Sequence, residues 1–152
     1  MIKFCADVGF FNTKTDKGDI FPSGVYEISS PGLYSDCISY NGRHYALGNE
    51  VLPVVGDRTG NSNMLLLTLF AMGRDFTKAG VSGNSSVILS VGLPPLQYNA
   101  MDSQGHKIFR EKLTDYYSGT YEFTYNGELF KIKVERVNVY PQGVSALFAS
   151  TV

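Results

Sequence analysis

Ile2-Lys3-Phe4-Cys5-Ala6-Asp7-Val8-Gly9-Phe10-Phe11-Asn12-Thr13-Lys14 reads as a β-strand that runs into a tight turn and returns. The apolar run Ile2 to Ala6 supplies the strand, and Asp7 stands at its end. A carboxylate there can hold a hydrated Mg²⁺, glycine at position 9 lets the backbone approach phosphate closely, and successive turn N–H groups can form an anion-binding concavity. Asn12, Thr13 and Lys14 add side-chain donors of the kinds that grip phosphate oxygens. The same residue types also suit an ordinary β-turn, and the segment alone does not separate the two readings.

Outward from this stretch, strand signals dominate the first fifty residues. Thr13 to Thr15 continues as a returning strand, Asp16-Lys17-Gly18-Asp19 is a turn, and Gly24 to Ile28 is the next strand. Cys37 to Tyr40 and Arg43 to Leu47 flank Asn41-Gly42, the dipeptide that favours a two-residue hairpin turn with positive φ. Positions 52 to 61 carry Pro, Gly and Asp and read as a loop. Asn61-Ser62-Asn63 then offers N-cap chemistry for a helix to about Lys78, ended by Gly80 and Gly83. Its first half, Met64 to Leu67, is apolar nearly all round, which predicts a helix enclosed by neighbours.

Ser86 to Val91 has the length and β-branched content of a buried strand, stopped by Gly92-Leu93-Pro94-Pro95. A helical region follows, broken near Ser103-Gln104-Gly105 and resumed from Lys107 through Leu113. Thr120 to Tyr125, Asn126-Gly127 and a long strand to Tyr140 repeat the hairpin device. In that strand Phe130, Ile132 and Val134 share one parity and Val137 and Val139 the other, which predicts a β-bulge or a change of sheet environment at Glu135-Arg136. Val144 to Ala149 reads as the beginning of a final helix. A sheet that starts antiparallel and then alternates with helices predicts an α/β domain, a mixed sheet with flanking helices of the ribonuclease-H-like kind.

Composition bounds the function. The chain has 152 residues, enough for one domain with its own core, and 43% hydrophobic with 18% charged residues is an ordinary globular balance. The net charge of −1 gives no footprint for direct nucleic-acid binding. No apolar run approaches the ~20 residues of a membrane span, so no membrane partner is expected and a cytoplasmic location is the default. Cys5, Cys37, His44 and His106 stand apart, without zinc-site or disulfide spacing.

Three features in order resemble the N-terminal half of the actin-like ATPases, most closely the ParM-like segregation proteins of plasmids and phages within the actin, Hsp70 and sugar-kinase superfamily. They are the Asp7-x-Gly9-x-x-Asn12-Thr13-Lys14 turn, the buried strand ending in Val91-Gly92-Leu93-Pro94 with its following helix, and Val137-Asn138-Val139-Tyr140-Pro141-Gln142-Gly143 leading into Val144-Ser145-Ala146. The resemblance spans essentially all 152 residues. It implies an actin-like first domain over residues 1–152, with a small inserted outer subdomain at about residues 30–60.

The resemblance further implies cofactors ATP (or GTP) and Mg²⁺. Asp7 would organise the metal's water shell and Gly9, Phe10, Phe11, Asn12, Thr13 and Lys14 would line the phosphates, with Phe10 able to offer only its backbone N–H. Gln142 would orient the attacking water, by geometry, since an amide is a poor base; ParM-type relatives often carry Glu there and actin Gln. Filament self-assembly and a DNA-binding adaptor protein are the implied partners. No second Asp-x-Gly-x-x-Thr loop follows Lys14, so the chain is expected to form one wall of a nucleotide cleft, as a truncated form, a natural fragment or a separately expressed subdomain. Such a piece alone should bind ATP weakly and leave apolar surface where the other half would dock. Two further readings stay open: a sugar or small-acid kinase half, with Asp57 or Asp102 as candidate acid, and a non-catalytic interaction module.

Overall fold

A computed structural model describes residues 1–9, 11–31, 36–48, 62–81 and 83–141. The elements are β1 (Ile2–Val8), β2 (Asn12–Thr15), β3 (Ile20–Pro22), β4 (Val25–Ile28), β5 (Cys37–Tyr40), β6 (Arg43–Leu47), α1 (Ser62–Ala79), β7 (Gly83–Leu93), α2 (Pro95–Asn99), α3 (Ile108–Tyr117), β8 (Gly119–Tyr125) and β9 (Glu128–Pro141). The described strands form one mixed sheet in the order β3-β2-β1-β7-β9-β8-β5-β6-β4. Its centre, β1-β7-β9, is parallel, and all the other pairings are antiparallel.

The sheet is not flat. Its two edge strands, β3 and β4, are joined by only Ser23 and Gly24. Eight inter-strand gaps of about 4.8 Å would separate the edges of a flat sheet by roughly 38 Å, whereas Pro22 to Val25 reaches at most about 11 Å. The sheet therefore curls until its edges meet at one corner. Hydrogen bonds pin that corner: Ser23 N–H donates to the Phe11 carbonyl at 2.8 Å, the Ser23 and Thr13 hydroxyls lie 2.9 Å apart, and Gly48 N–H donates to the Gly24 carbonyl at 2.9 Å.

Helix α1 lies in the trough so formed, touching β1, β2, β4 and β8. This is why its first half is apolar on every side: from Leu66 to Gly73 each residue is buried. Phe76 of α1 meets Phe4 and Phe130, and Phe70 meets Tyr125 edge to face. Gly73 is needed at one close approach, because a Cβ there would come within 2.8 Å of the Tyr125 ring. Helix α3 covers the same face, with Leu113 and Tyr117 buried and the Tyr117 hydroxyl 3.1 Å from that of Thr68 on α1.

Both Asn-Gly turns form as their residues dictate, with φ of 52° and 77° at Asn41-Gly42 and 48° and 83° at Asn126-Gly127. Asn126 also fastens one hairpin to the other: its Oδ1 accepts from Cys37 N–H and its own N–H donates to the Cys37 carbonyl, both at 2.9 Å. The described strands of the 30–60 segment thereby extend the main sheet beside β8. The parity change in β9 is a bulge: Val134 pairs with Val87 and Arg136 with Ile88, leaving Glu135 over.

The third strand and the end of α3 differ from the sequence reading, whereas the break before α3 falls where it was read. Gly24 to Ile28 is not the third strand of the first meander; Ile20–Pro22 is, and the chain breaks at Ser23-Gly24 because β4 joins the opposite edge. Helix α3 runs on past Leu113 to Tyr117, since Tyr117 reaches the core. The break before it is a turn in which the Asp102 carboxylate accepts N–H bonds from Gln104 and His106 at 2.9 Å each. The helix read at Val144 to Ala149 lies outside the described residues.

Candidate functional site

Because β1, β7 and β9 are parallel, their C-terminal ends lie at the same end of the sheet. In open α/β sheets ligands bind beyond these strand ends. Three connections leave here: the Gly9 turn after β1, the Pro94 entry to α2 after β7, and the segment after Pro141 in β9. Gln142 begins that last segment and, like Phe10, lies outside the described residues.

Alternation along β1 sets which side chains reach the site. Phe4, Ala6 and Val8 face α1 and are buried, so Asp7 faces the other side. Its antiparallel partner is Lys14, which shares that face and is exposed. A carboxylate and an ammonium thus stand opposite one another beside the turn. Cys5, Ser90 and Asn138 form a row across β1, β7 and β9 on the same face, leading toward Asp7. Ser90 and Asn138 were not singled out from sequence, although a period of two counted from Leu89 and Val137 marks them.

The turn is closed by Gly9 N–H donating to the Asn12 carbonyl at 2.9 Å. Glycine is required for this contact: a Cβ at position 9 would lie 2.8 Å from the Asn12 carbonyl oxygen. Phe11 is 65% exposed, so the turn stands away from the core. Asn12 is exposed as well. Thr13 departs from the set drawn from the sequence. It pairs with Val8 on the core face, is fully buried, and its hydroxyl is engaged with Ser23, leaving its backbone alone as a contributor to the turn.

The Gly9 turn has no room for a side chain at position 9, and the Asp7 carboxylate and Lys14 ammonium beside it are groups of the kinds that contact hydrated divalent metals and phosphate oxygens. The acid candidate of a kinase-like reading is otherwise employed. Asp102 accepts two backbone N–H bonds and contacts His106 Nδ1 at 3.0 Å, while Asp57 lies outside the described residues. No helix among the described residues is long and apolar enough to cross a membrane.

A second charged cluster lies on the α1 side. Arg74 donates to both oxygens of Asp19, at 2.6 and 3.0 Å, and to Asp36 at 3.1 Å, and lies over the Phe21 ring. Tyr125 O–H donates to the other Asp36 oxygen at 2.5 Å. The Arg74 hydrogen bond holds the Asp19 carboxyl below the usual carboxylate range, against the opposing effect of burial.

Comparison with curated proteins finds no match. Among solved structures the chain is similar to an AlfA filament bound to AMPPNP (TM-score 0.70, 20% identity, covering 97% of this chain and 56% of that one). It is similar also to psk41 ParM in its apo form (TM-score 0.70, 15% identity, 92% and 49%), and to the archaeal actin homologue Ta0583 in complex with ADP (TM-score 0.65, 18% identity, 97% and 46%). The chain thus spans about half the length of these relatives. A family model described as the N-terminal domain of actin-like proteins matches residues 5–144. With the curled mixed sheet and the Gly9 turn in place, this match shows that the chain belongs to the actin-like proteins and carries their N-terminal domain.

Proposed function

We propose that this chain is the N-terminal half of a filament-forming, cytoplasmic actin-like ATPase that binds Mg-ATP (or Mg-GTP) and, through a DNA-binding adaptor protein, moves plasmid or phage DNA. The observation that carries the reading is the placement of Asp7 and Lys14 on one sheet face beside the Gly9 turn, beyond the ends of three parallel strands. Asp7 serves the metal's water shell. The backbone N–H groups of Phe10, Phe11, Asn12 and Thr13, with the Lys14 side chain, serve the phosphates, and Gly9, whose own N–H is held by the Asn12 carbonyl, keeps the turn tight enough for their approach. Gln142 orients the water. When bound, the nucleotide supplies the phosphoanhydride bond whose cleavage limits filament lifetime.

The AMPPNP-bound AlfA filament and the ADP complex of Ta0583 support nucleotide binding and self-assembly as properties to test here. Since the chain spans about half of those proteins, the second wall of the cleft is assigned to further sequence. The test is sedimentation and phosphate release by the protein at its native length, with and without Mg-ATP. Nucleotide-dependent pelleting that D7A abolishes supports the reading. Pelleting or turnover indifferent to D7A overturns it.

A further inference from the structure

Ala6 pairs with Val91 where β1 and β7 run side by side, so Asp7 and Gly92 are the next neighbours along those two strands. On its other side Gly92 pairs with Tyr140 of β9. Val91 and Leu93, before and after Gly92, are buried on the core face, and Val139 packs against the same core. By alternation Asp7, position 92 and Tyr140 form one row on the opposite face. One row back, Cys5 and Ser90 are buried, whereas Gly92 is partly exposed.

The middle of this row carries no side chain. The Cα atoms of Asp7 and Tyr140 stand two strand spacings apart, roughly 10 Å, with only backbone between them. Backbone conformation does not call for glycine here, since Gly92 has an ordinary strand pairing and is not among the glycines with positive φ. Glycine in a strand also costs stability relative to alanine. Inside a strand it marks places where a ligand or another backbone approaches closely. The group beside it on that face is the Asp7 carboxylate, two residues before the Gly9 turn.

We propose that Gly92 is a positioning residue of the nucleotide site, keeping the space beside Asp7 clear for the waters that a bound Mg²⁺ retains, with Tyr140 as the far wall. This rests on the reading of Asp7 as the group that orders the metal's water shell. Mg²⁺ dehydrates reluctantly and keeps several waters, so a seat for it beside a carboxylate must be wider than the bare ion. A methyl group at position 92 would project into the row between Asp7 and Tyr140 and narrow that seat without touching the core.

The test is a double-mutant cycle in the native-length protein: D7N, G92A and D7N/G92A, read by ATP affinity in Mg²⁺ and in EDTA and by urea unfolding. G92A should cut the gain in affinity that Mg²⁺ gives on the order of tenfold and leave affinity in EDTA unchanged. Its unfolding midpoint should be equal or higher, because alanine restricts the unfolded chain. In the D7N background G92A should change the metal gain by less than about twofold, as two substitutions acting on one shell are not additive. A full metal gain in G92A overturns the proposal and leaves the Asp7 assignment standing. Equal losses in Mg²⁺ and EDTA, a lowered unfolding midpoint, or additive losses with D7N would show that Gly92 serves packing, and each overturns it as well. A wild-type metal gain that is absent, or that survives D7N, removes the nucleotide reading at Asp7 and this proposal with it.

Discussion

Asp7 and Lys14 stand directly opposite each other across the β1–β2 ladder, on the sheet face away from α1 and α3. The pairing places one negative and one positive group beside the same turn, where neither is needed by the core. Asp7→Asn preserves shape and removes the charge. In the native-length protein it should weaken Mg²⁺-dependent nucleotide binding on the order of tenfold, the usual cost of losing a group that orders a metal's outer shell. Nucleotide affinity measured with Mg²⁺ and with EDTA decides the matter, and an identical metal increment in both proteins rules out this role for Asp7.

Gly9→Ala should separate site geometry from stability. The new Cβ meets the Asn12 carbonyl oxygen at 2.8 Å, a backbone atom that cannot swing aside. The turn must open, at a cost of about 1–2 kcal/mol by analogy with other overpacked positions. Urea unfolding should report that loss, while nucleotide affinity falls by more than the stability change alone explains. Unaltered affinity would falsify the assignment of this turn to phosphate.

Arg74→Met should be among the more damaging single changes on the α1 side. It leaves Asp19, whose side chain is 7% exposed, without its two charged hydrogen bonds. Breaking such a pair costs about 3 kcal/mol. The folded-state carboxyl of Asp19 is depressed, so its contribution is fully present above the unfolded value near ~4 and is lost as pH falls through the lower folded value. Wild type should therefore lose more stability than Arg74→Met on acidification below ~4. Parallel acid titrations of the two proteins would expose the error.

Asp75→Asn should act in the opposite sense. The Asp75 carboxyl is raised in the folded state, chiefly by burial, so ionising it costs stability as pH rises from the unfolded value toward the folded one. The amide removes that penalty. The variant should be more stable than wild type at pH 8, and the difference should vanish near pH ~4 and below. Equal unfolding midpoints at pH 8 would show that the buried carboxylate is compensated in some other way.

Arg43→Glu tests whether the outer hairpin contributes to assembly. Arg43 contacts Glu27 at 3.3 Å, and both side chains are largely exposed, so folding should change by less than about 1 kcal/mol. If subunits meet through this surface, the critical concentration for Mg-ATP-dependent pelleting rises severalfold. An unchanged value removes the hairpin from the contact.

What the sequence made legible was whatever depends on near neighbours. Asn41-Gly42 and Asn126-Gly127 had to turn because both positions take positive φ, and the switch from Val134 to Val137 had to cost one residue, Glu135. Asp7, Gly9 and Lys14 were visible for the same reason. What stayed hidden depends on closure of the sheet. Nothing local distinguishes Ser23-Gly24 from the start of a strand, yet the chain there passes from one sheet edge to the other. Thr13 looked like a donor until register set it opposite Val8 on the core face. The Arg74–Asp19 pair, and the burial of Asp75 next to it in α1, follow only once α1 lies in the trough. The face opposite the helices carries Lys3, Asp7, Lys14, Ser90, Lys131, Lys133 and Asn138, marked only by their alternation with the buried residues of the same strands.

The corner at Ser23-Gly24 gives the molecule a lever. Phe11 holds Ser23 on one side and Gly48 holds Gly24 on the other, so the outer strands and the Gly9 turn share a fulcrum two residues long. A tilt of β4 through β6 cannot be absorbed by a slack linker; it pulls on the carbonyl of Phe11. Whatever grips the turn should stiffen the outer hairpin, and whatever grips the hairpin should reshape the turn, through the hydrogen bonds of this one corner.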